Sequence, residues 1–193
     1  MRRLILASTS TWRRQLLADA GIECDAIAPD VAESEIVGES PIDTARRRAL
    51  AKALAVERTH AETIVVGADQ VIDLDGETIG KPENDVVWKA RLMALRGRSH
   101  ELTTAVALVD GQGTEVFHVT TKVLFRSDLS DAELDAYIAS REAKGCAGGY
   151  MVERTGAWLV ESIDGDWLNV LGLPVLELIG RLRARGWRLD GAQ

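Results

Sequence analysis

Asp69 lies where a carboxylate is costly. It sits within "IVVGADQVI", whose valines and isoleucines predict a buried strand. A charge there is penalised unless it binds a cation, pairs with a base or moves protons. The ordinary alternative is a strand-end aspartate bonded to a nearby backbone turn. Gln70, the next residue, belongs to the opposite face or to the strand's end. A second cluster opens the chain: "LILASTSTWRR" runs a short apolar strand into Ser8, Thr9, Ser10 and Thr11, then Trp12, Arg13 and Arg14. A strand leading into a helix N-terminus presents unpaired N–H groups, and two arginines add charge and forked donors, so this stretch reads as an anion site suited to phosphate. Lys81 in "IGKPEN" stands between a glycine and a proline, in a stiff loop able to aim an ammonium at a phosphate. Lys52, in the helical "AKA", reads by itself as a solvated helix position. Glu33 and Glu35, in the acidic "DVAESEIVGES", read singly as loop charges. Taken together, a strand–helix phosphate site with scattered carboxylates and lysines suits magnesium-assisted hydrolysis of a phosphoanhydride.

Other chemistries lack their residues. His60, His100 and His118 have no zinc-site spacing, and no GxSxG, Walker or GxGxxG motif occurs. Cys24 and Cys146 are far apart and read as two reduced thiols. A net charge of −7 argues against non-specific binding to nucleic acid or a membrane surface. The local density of Arg13-Arg14 and Arg46-Arg47-Arg48 still permits a small anionic ligand. After Met-Arg-Arg the apolar run is short and leads into a capped helix, so neither a signal peptide nor a membrane span is expected and a cytoplasmic location is.

The elements that must position these groups follow from punctuation and periodicity. "TWRRQLLADAG" predicts a helix with Leu16, Leu17 and Ala20 inward and Gly21 as its stop. "SPIDTARRRALAKALAVERTH" starts a second helix with Ser40 as cap and Pro41 in the first turn. "TIVVGADQVIDLDGETIG" is a strand, an Asp-Gly turn and a return strand, and "HELTTAVALVDGQGTEVFHVTTKVLF" a long hairpin. "NDVVWKARLMALRG" and "VLELIGRLRARG" are helices, and "SDAELDAYIASRE" has a capping box at Ser130 and Glu133. "AWLVESIDGDW" reads as a further strand. Hairpins in the middle of the chain exclude a wholly parallel sheet. The 193 residues form one α/β (mixed α+β) domain.

In "LILASTSTWRRQLLADAGI", "VAESE", "ALAKA", "VVGADQVIDLDG", "IGKPEN", "LMALRGRSHELTTAVAL", "TTKVLF", "CAGGY" and "GDWLNVLGLP" the chain resembles, in order and nearly end to end, the Maf family of nucleoside triphosphate pyrophosphatases. The resemblance implies a two-lobed fold, similar to that of the inosine triphosphatases, around a central cleft. It also implies cleavage of a nucleoside triphosphate to monophosphate and pyrophosphate with a divalent cation, magnesium or manganese. By position, Asp69 becomes the catalytic base or a metal-associated carboxylate, Glu33 its acidic and metal-binding partner, and Lys81 a member of the same set. Ser8, Arg13, Lys52 and Lys81 would cradle the triphosphate, and Arg14 fills the second arginine position. Trp12, Gln70 and Glu153 match the subgroup acting on 7-methyl-GTP. An indole face suits a cationic ring, and a glutamate can accept from the guanine N1–H and amine. The dTTP/UTP subgroup differs, with proline–arginine–arginine after the serine and threonine after the aspartate. Thr11 departs from a more usual proline, and Cys146 stands where the wider family often has lysine, a role not passed to Lys144. "GDWLNVLGLP", with Asn169, reads as scaffold. A homodimer is one expectation. A nucleotide-binding regulator of septum formation is the competing function, and the intact Asp69, Glu33 and Lys81 set weighs against it.

Overall fold

A computed structural model describes residues 3–32, 38–60 and 63–189. One sheet organises them. Strands β1 (Leu4–Ala7), β2 (Asp25–Ile27), β3 (Ile64–Leu74), β4 (Glu77–Ile79), β5 (Ser99–Asp110), β6 (Gly113–Phe125) and β7 (Val160–Asp164) run in the order β2-β1-β3-β5-β6-β7, with β4 on the far end of β3. The β1 pairings with β2 and β3 are parallel, and all the others are antiparallel. The mixed sheet with central hairpins is therefore as expected. Asp75 and Gly76, both at positive φ, make the tight β3–β4 turn.

Helices α1 (Thr11–Asp19), α2 (Pro41–Glu57), α3 (Asp85–Leu95) and α4 (Asp131–Ala139) start at Ser10, Ser40, Asn84 and Ser130, each of whose side chains accepts a first-turn N–H. The Ser130–Glu133 capping box forms in full. Two short helices follow: α5 (Trp167–Val170), capped by Asp166, and α6 (Val175–Ala184). The predicted strand from Ala157 is shorter than expected. Thr155–Leu159 is a 3₁₀ turn, because the chain folds back so closely that a Cβ on Gly156 would lie 2.4 Å from the Met151 carbonyl oxygen.

The two lobes share the same long strands. At one end, Ile72, Leu102, Val123 and Phe125 pack with Trp88, Leu92 and Leu134 of α3 and α4. At the other, Val66, Ala68, Val106 and Leu108 pack with Leu17 of α1 and Leu178 of α6. The opposite face of that end carries α2, whose Ala45, Ala49 and Ala53 lie on Val65, Ala105 and Ala107. Alternation along β3 sends Val65, Gly67, Asp69 and Val71 toward α2 and Val66, Ala68, Gln70 and Ile72 away from it. Asp69 and Gln70 thus fall at the waist between the two packed ends.

Candidate active site

Helix α2 sits against β3 at a distance only glycine permits. A Cβ on Gly67 would lie 2.2 Å from the Ala49 carbonyl oxygen and 2.7 Å from the Ala53 nitrogen. The alanine stripe and this glycine bring the adjoining row of α2, Arg48 and Lys52, onto Asp69 two residues along the strand. The Lys52 ammonium donates to Asp69 Oδ1 at 2.6 Å, with both side chains buried. Arg48 lies 4.0 Å from Oδ2. Oδ2 itself is buried and has no hydrogen-bond partner among the described residues. An ion pair removed from water is costly to assemble, and leaving either member unpaired costs more.

Lys52 is therefore not the solvated residue its helix context predicted. The three consecutive arginines part company, as successive positions on a helix must. Arg46 approaches His118, Arg47 forms paired hydrogen bonds to Glu39 and Arg48 faces Asp69. The Arg47 hydrogen bonds hold the Glu39 carboxyl down at about 2. Arg48 reads in sequence as part of a charge run, and its four-residue spacing from Lys52 beside an alanine stripe is the signal that sets it apart.

The pair opens into a cavity of about 600 Å³ between the lobes. Ser8, Trp12, Arg13, Lys52, Asp69, Gln70, Lys81 and Glu153 all line it, so eight of the predicted site residues meet in one place. Arg14 does not line it. Arg14 is exposed on α1, where its charge acts on the Cys24 thiol. Glu33, with Glu35, falls outside the described residues.

Local structure explains most of these placements. Ser10 caps α1, and Ser8 Oγ accepts the Ser10 N–H at 3.1 Å, which holds the turn between β1 and α1. Arg13 donates through Nε to the Gly172 carbonyl at 2.9 Å and through NH1 to the Ala68 carbonyl at 2.8 Å. It thereby ties α1 to β3 and to the turn before α6 while bordering the cavity. Gln70, on the face away from α2, donates to the Asn169 carbonyl at 2.7 Å and to Thr104 Oγ1 at 3.1 Å. Asn169 is buried and donates to the Leu102 carbonyl and Thr121 Oγ1, in keeping with its reading as scaffold. On the other lobe, the Gly80 carbonyl beside Lys81 accepts from Arg91 at 2.6 Å. Cys146 lines the cavity and Lys144 does not. Burial pushes the Cys146 thiol up, Glu153 adds to this and Lys81 opposes it, so both charges act on the same wall.

No group of three or more His, Cys, Asp or Glu side chains able to hold a metal occurs among the described residues. Magnesium does not require one. It binds through one or two carboxylates with substrate phosphates and water, and the unpartnered Asp69 Oδ2 is an oxygen of that kind. Among the described residues no helix is long and apolar enough to cross a membrane.

The mixed sheet with a cleft at its waist, lined by cations and a buried carboxylate, defines the class as an α/β protein with a polar interlobe cleft. Its fold is shared by a HAM1 protein from Coxiella burnetii, at a TM-score of 0.54 and 18% identity over 96% of this chain and 100% of that one. Residues 3–185 match the family described as Maf-like protein, and the chain belongs to that family. A Bordetella avium protein named 7-methyl-GTP pyrophosphatase is 43% identical over 185 residues, covering 95% of this chain and 93% of the relative. A Bacillus cytotoxicus protein named dTTP/UTP pyrophosphatase is 38% identical over 183 residues, covering 95% of each.

Proposed function

We propose that the protein hydrolyses 7-methyl-GTP to 7-methyl-GMP and pyrophosphate, with magnesium or manganese. The observation that carries this reading is the buried Lys52–Asp69 pair opening into a cavity that also holds Trp12 and Glu153. The name and 43% identity of the Bordetella avium relative support it.

The triphosphate lies at the start of α1, where N–H groups and the helix dipole favour anions. Ser8, Arg13, Lys52 and Lys81 bound its place. Lys52 fixes the Asp69 carboxylate through Oδ1 and leaves Oδ2 without a hydrogen bond. Water supplies the oxygen that replaces the bond between the α- and β-phosphates, one proton is lost, and pyrophosphate leaves beside Lys81. Asp69, with Glu33 as its partner, would hold the divalent cation, which neutralises phosphate charge and polarises water. Arg48 adds positive charge at the same carboxylate. At the far end, Trp12 offers an indole face to the methylated, cationic ring, and Glu153 accepts from the guanine N1–H and amine. Removing modified nucleotides before they reach RNA, in the cytoplasm, is the role that fits this activity.

Turnover of 7-methyl-GTP, GTP, UTP, dTTP and CTP with magnesium, resolving pyrophosphate from phosphate, tests the proposal. Pyrophosphate from 7-methyl-GTP above all others is expected. Preference for UTP and dTTP would overturn the base assignment, and binding without turnover of any nucleotide would overturn the enzyme.

A further inference from the structure

Trp12 already carries a cation. The guanidinium carbon of Arg154 lies 5.5 Å from the centroid of the indole, a cation–π distance. Trp12 lines the cavity and is 40% exposed. Arg154 is exposed and directly follows Glu153, which also lines the cavity. Among the described residues the guanidinium forms no ion pair or hydrogen bond, which leaves it on the indole. The contact joins the lobes, because residues 151, 152 and 159 around Arg154 pack in one core and Leu17 of α1 in the other.

One indole does not serve two cations equally well. A second cation on the same face is excluded by contact. On the opposite face it meets a ring whose electron density is already drawn toward the first charge, and a like charge a ring's thickness beyond. A neutral base pays neither penalty. An unmethylated guanine also offers O6 and N7 to a guanidinium fork, whereas N7 methylation removes one of those acceptors.

We propose that Arg154 is a specificity-determining residue that competes with a cationic base for Trp12 and so lowers the protein's discrimination between 7-methyl-GTP and GTP. The inference rests on the assignment of Trp12 to the base under the proposed function. The electrostatic part of the competition depends on the charge, so a lysine retains that part and a neutral side chain of similar length removes it.

The test is kcat/KM and KM for 7-methyl-GTP and GTP in wild type, Arg154→Met and Arg154→Lys. Arg154→Met is expected to raise the 7-methyl-GTP to GTP ratio about three- to tenfold, mainly through a lower KM for the methylated nucleotide. Arg154→Lys is expected to stay nearer wild type. An unchanged or lower ratio in Arg154→Met would overturn the inference, and the lower one would show that the arginine braces Trp12 for its ligand. If wild type prefers GTP and Arg154→Met acquires a preference for the methylated nucleotide, the inference stands while the substrate assignment falls. If neither protein turns over 7-methyl-GTP, both fall.

Discussion

The two ends of the cleft are built differently. At the phosphate end, Asp69 and Lys52 are buried, borne on the central strand and the longest helix, and locked together at 2.6 Å. At the base end, Trp12 is partly exposed on the first turn of α1, and Glu153 and Arg154 stand on a segment of short turns. Under the proposed function the difference separates two kinds of work. Chemistry needs a fixed geometry, which rigid, desolvated elements supply. Choice of base rests on contacts that can change without disturbing the core.

The largest effect should come from breaking the buried end. Asp69→Asn is expected to lower kcat/KM about 10³-fold or more for every nucleotide, measured as pyrophosphate release by protein whose circular dichroism matches wild type. A fall below tenfold would remove Asp69 from the chemistry. The packing that creates the pair is the next point of attack. Gly67→Ala should cost about 3 kcal/mol, since its new methyl meets helix backbone on α2, and activity should fall with it as Lys52 moves. Denaturant unfolding checks the stability, and a loss under about 0.5 kcal/mol would mean that α2 shifts freely.

A pH experiment probes the wall behind the base end. Buried His100 shares a 2.6 Å hydrogen bond with Tyr150, a cavity-lining residue, and packs edge-on against Phe125. Burial lowers its pKa from 6.5 to about 4. The unfolded chain therefore takes up this proton first as pH falls. The contribution is fully present above pH 6.5 and is lost between 6.5 and 4, amounting to roughly 3 kcal/mol. Stability against pH for wild type and His100→Asn should converge by about this amount over that interval, and parallel curves would contradict the assignment.

How much of this was readable in the sequence follows the same division. Hydroxyl caps at Ser10, Ser40 and Ser130 and the Asp-Gly turn at Asp75 act through neighbouring residues, so they are legible locally. Asp69 was legible as an anomaly, a charge inside an apolar strand. Lys52 was not, because its burial depends on α2 lying against Gly67, a contact made across the fold. The contrast between Arg13 and Arg14 was equally hidden. Adjacent helical positions point about 100° apart, and only the packing of α1 decides that Arg13 reaches Gly172 and Ala68 while Arg14 faces outward. The link from Arg154 to Trp12 spans the two lobes and has no signature in either segment alone.

The division between the two ends is tested most directly by kcat/KM for 7-methyl-GTP and GTP in wild type, Asp69→Asn and Trp12→Ala. Asp69→Asn should lower both values by the same large factor. Trp12→Ala should lower the 7-methyl-GTP value about tenfold more than the GTP value, the worth of a partly desolvated cation–π contact. Equal losses for both nucleotides in Trp12→Ala would make the tryptophan a structural residue and contradict the account.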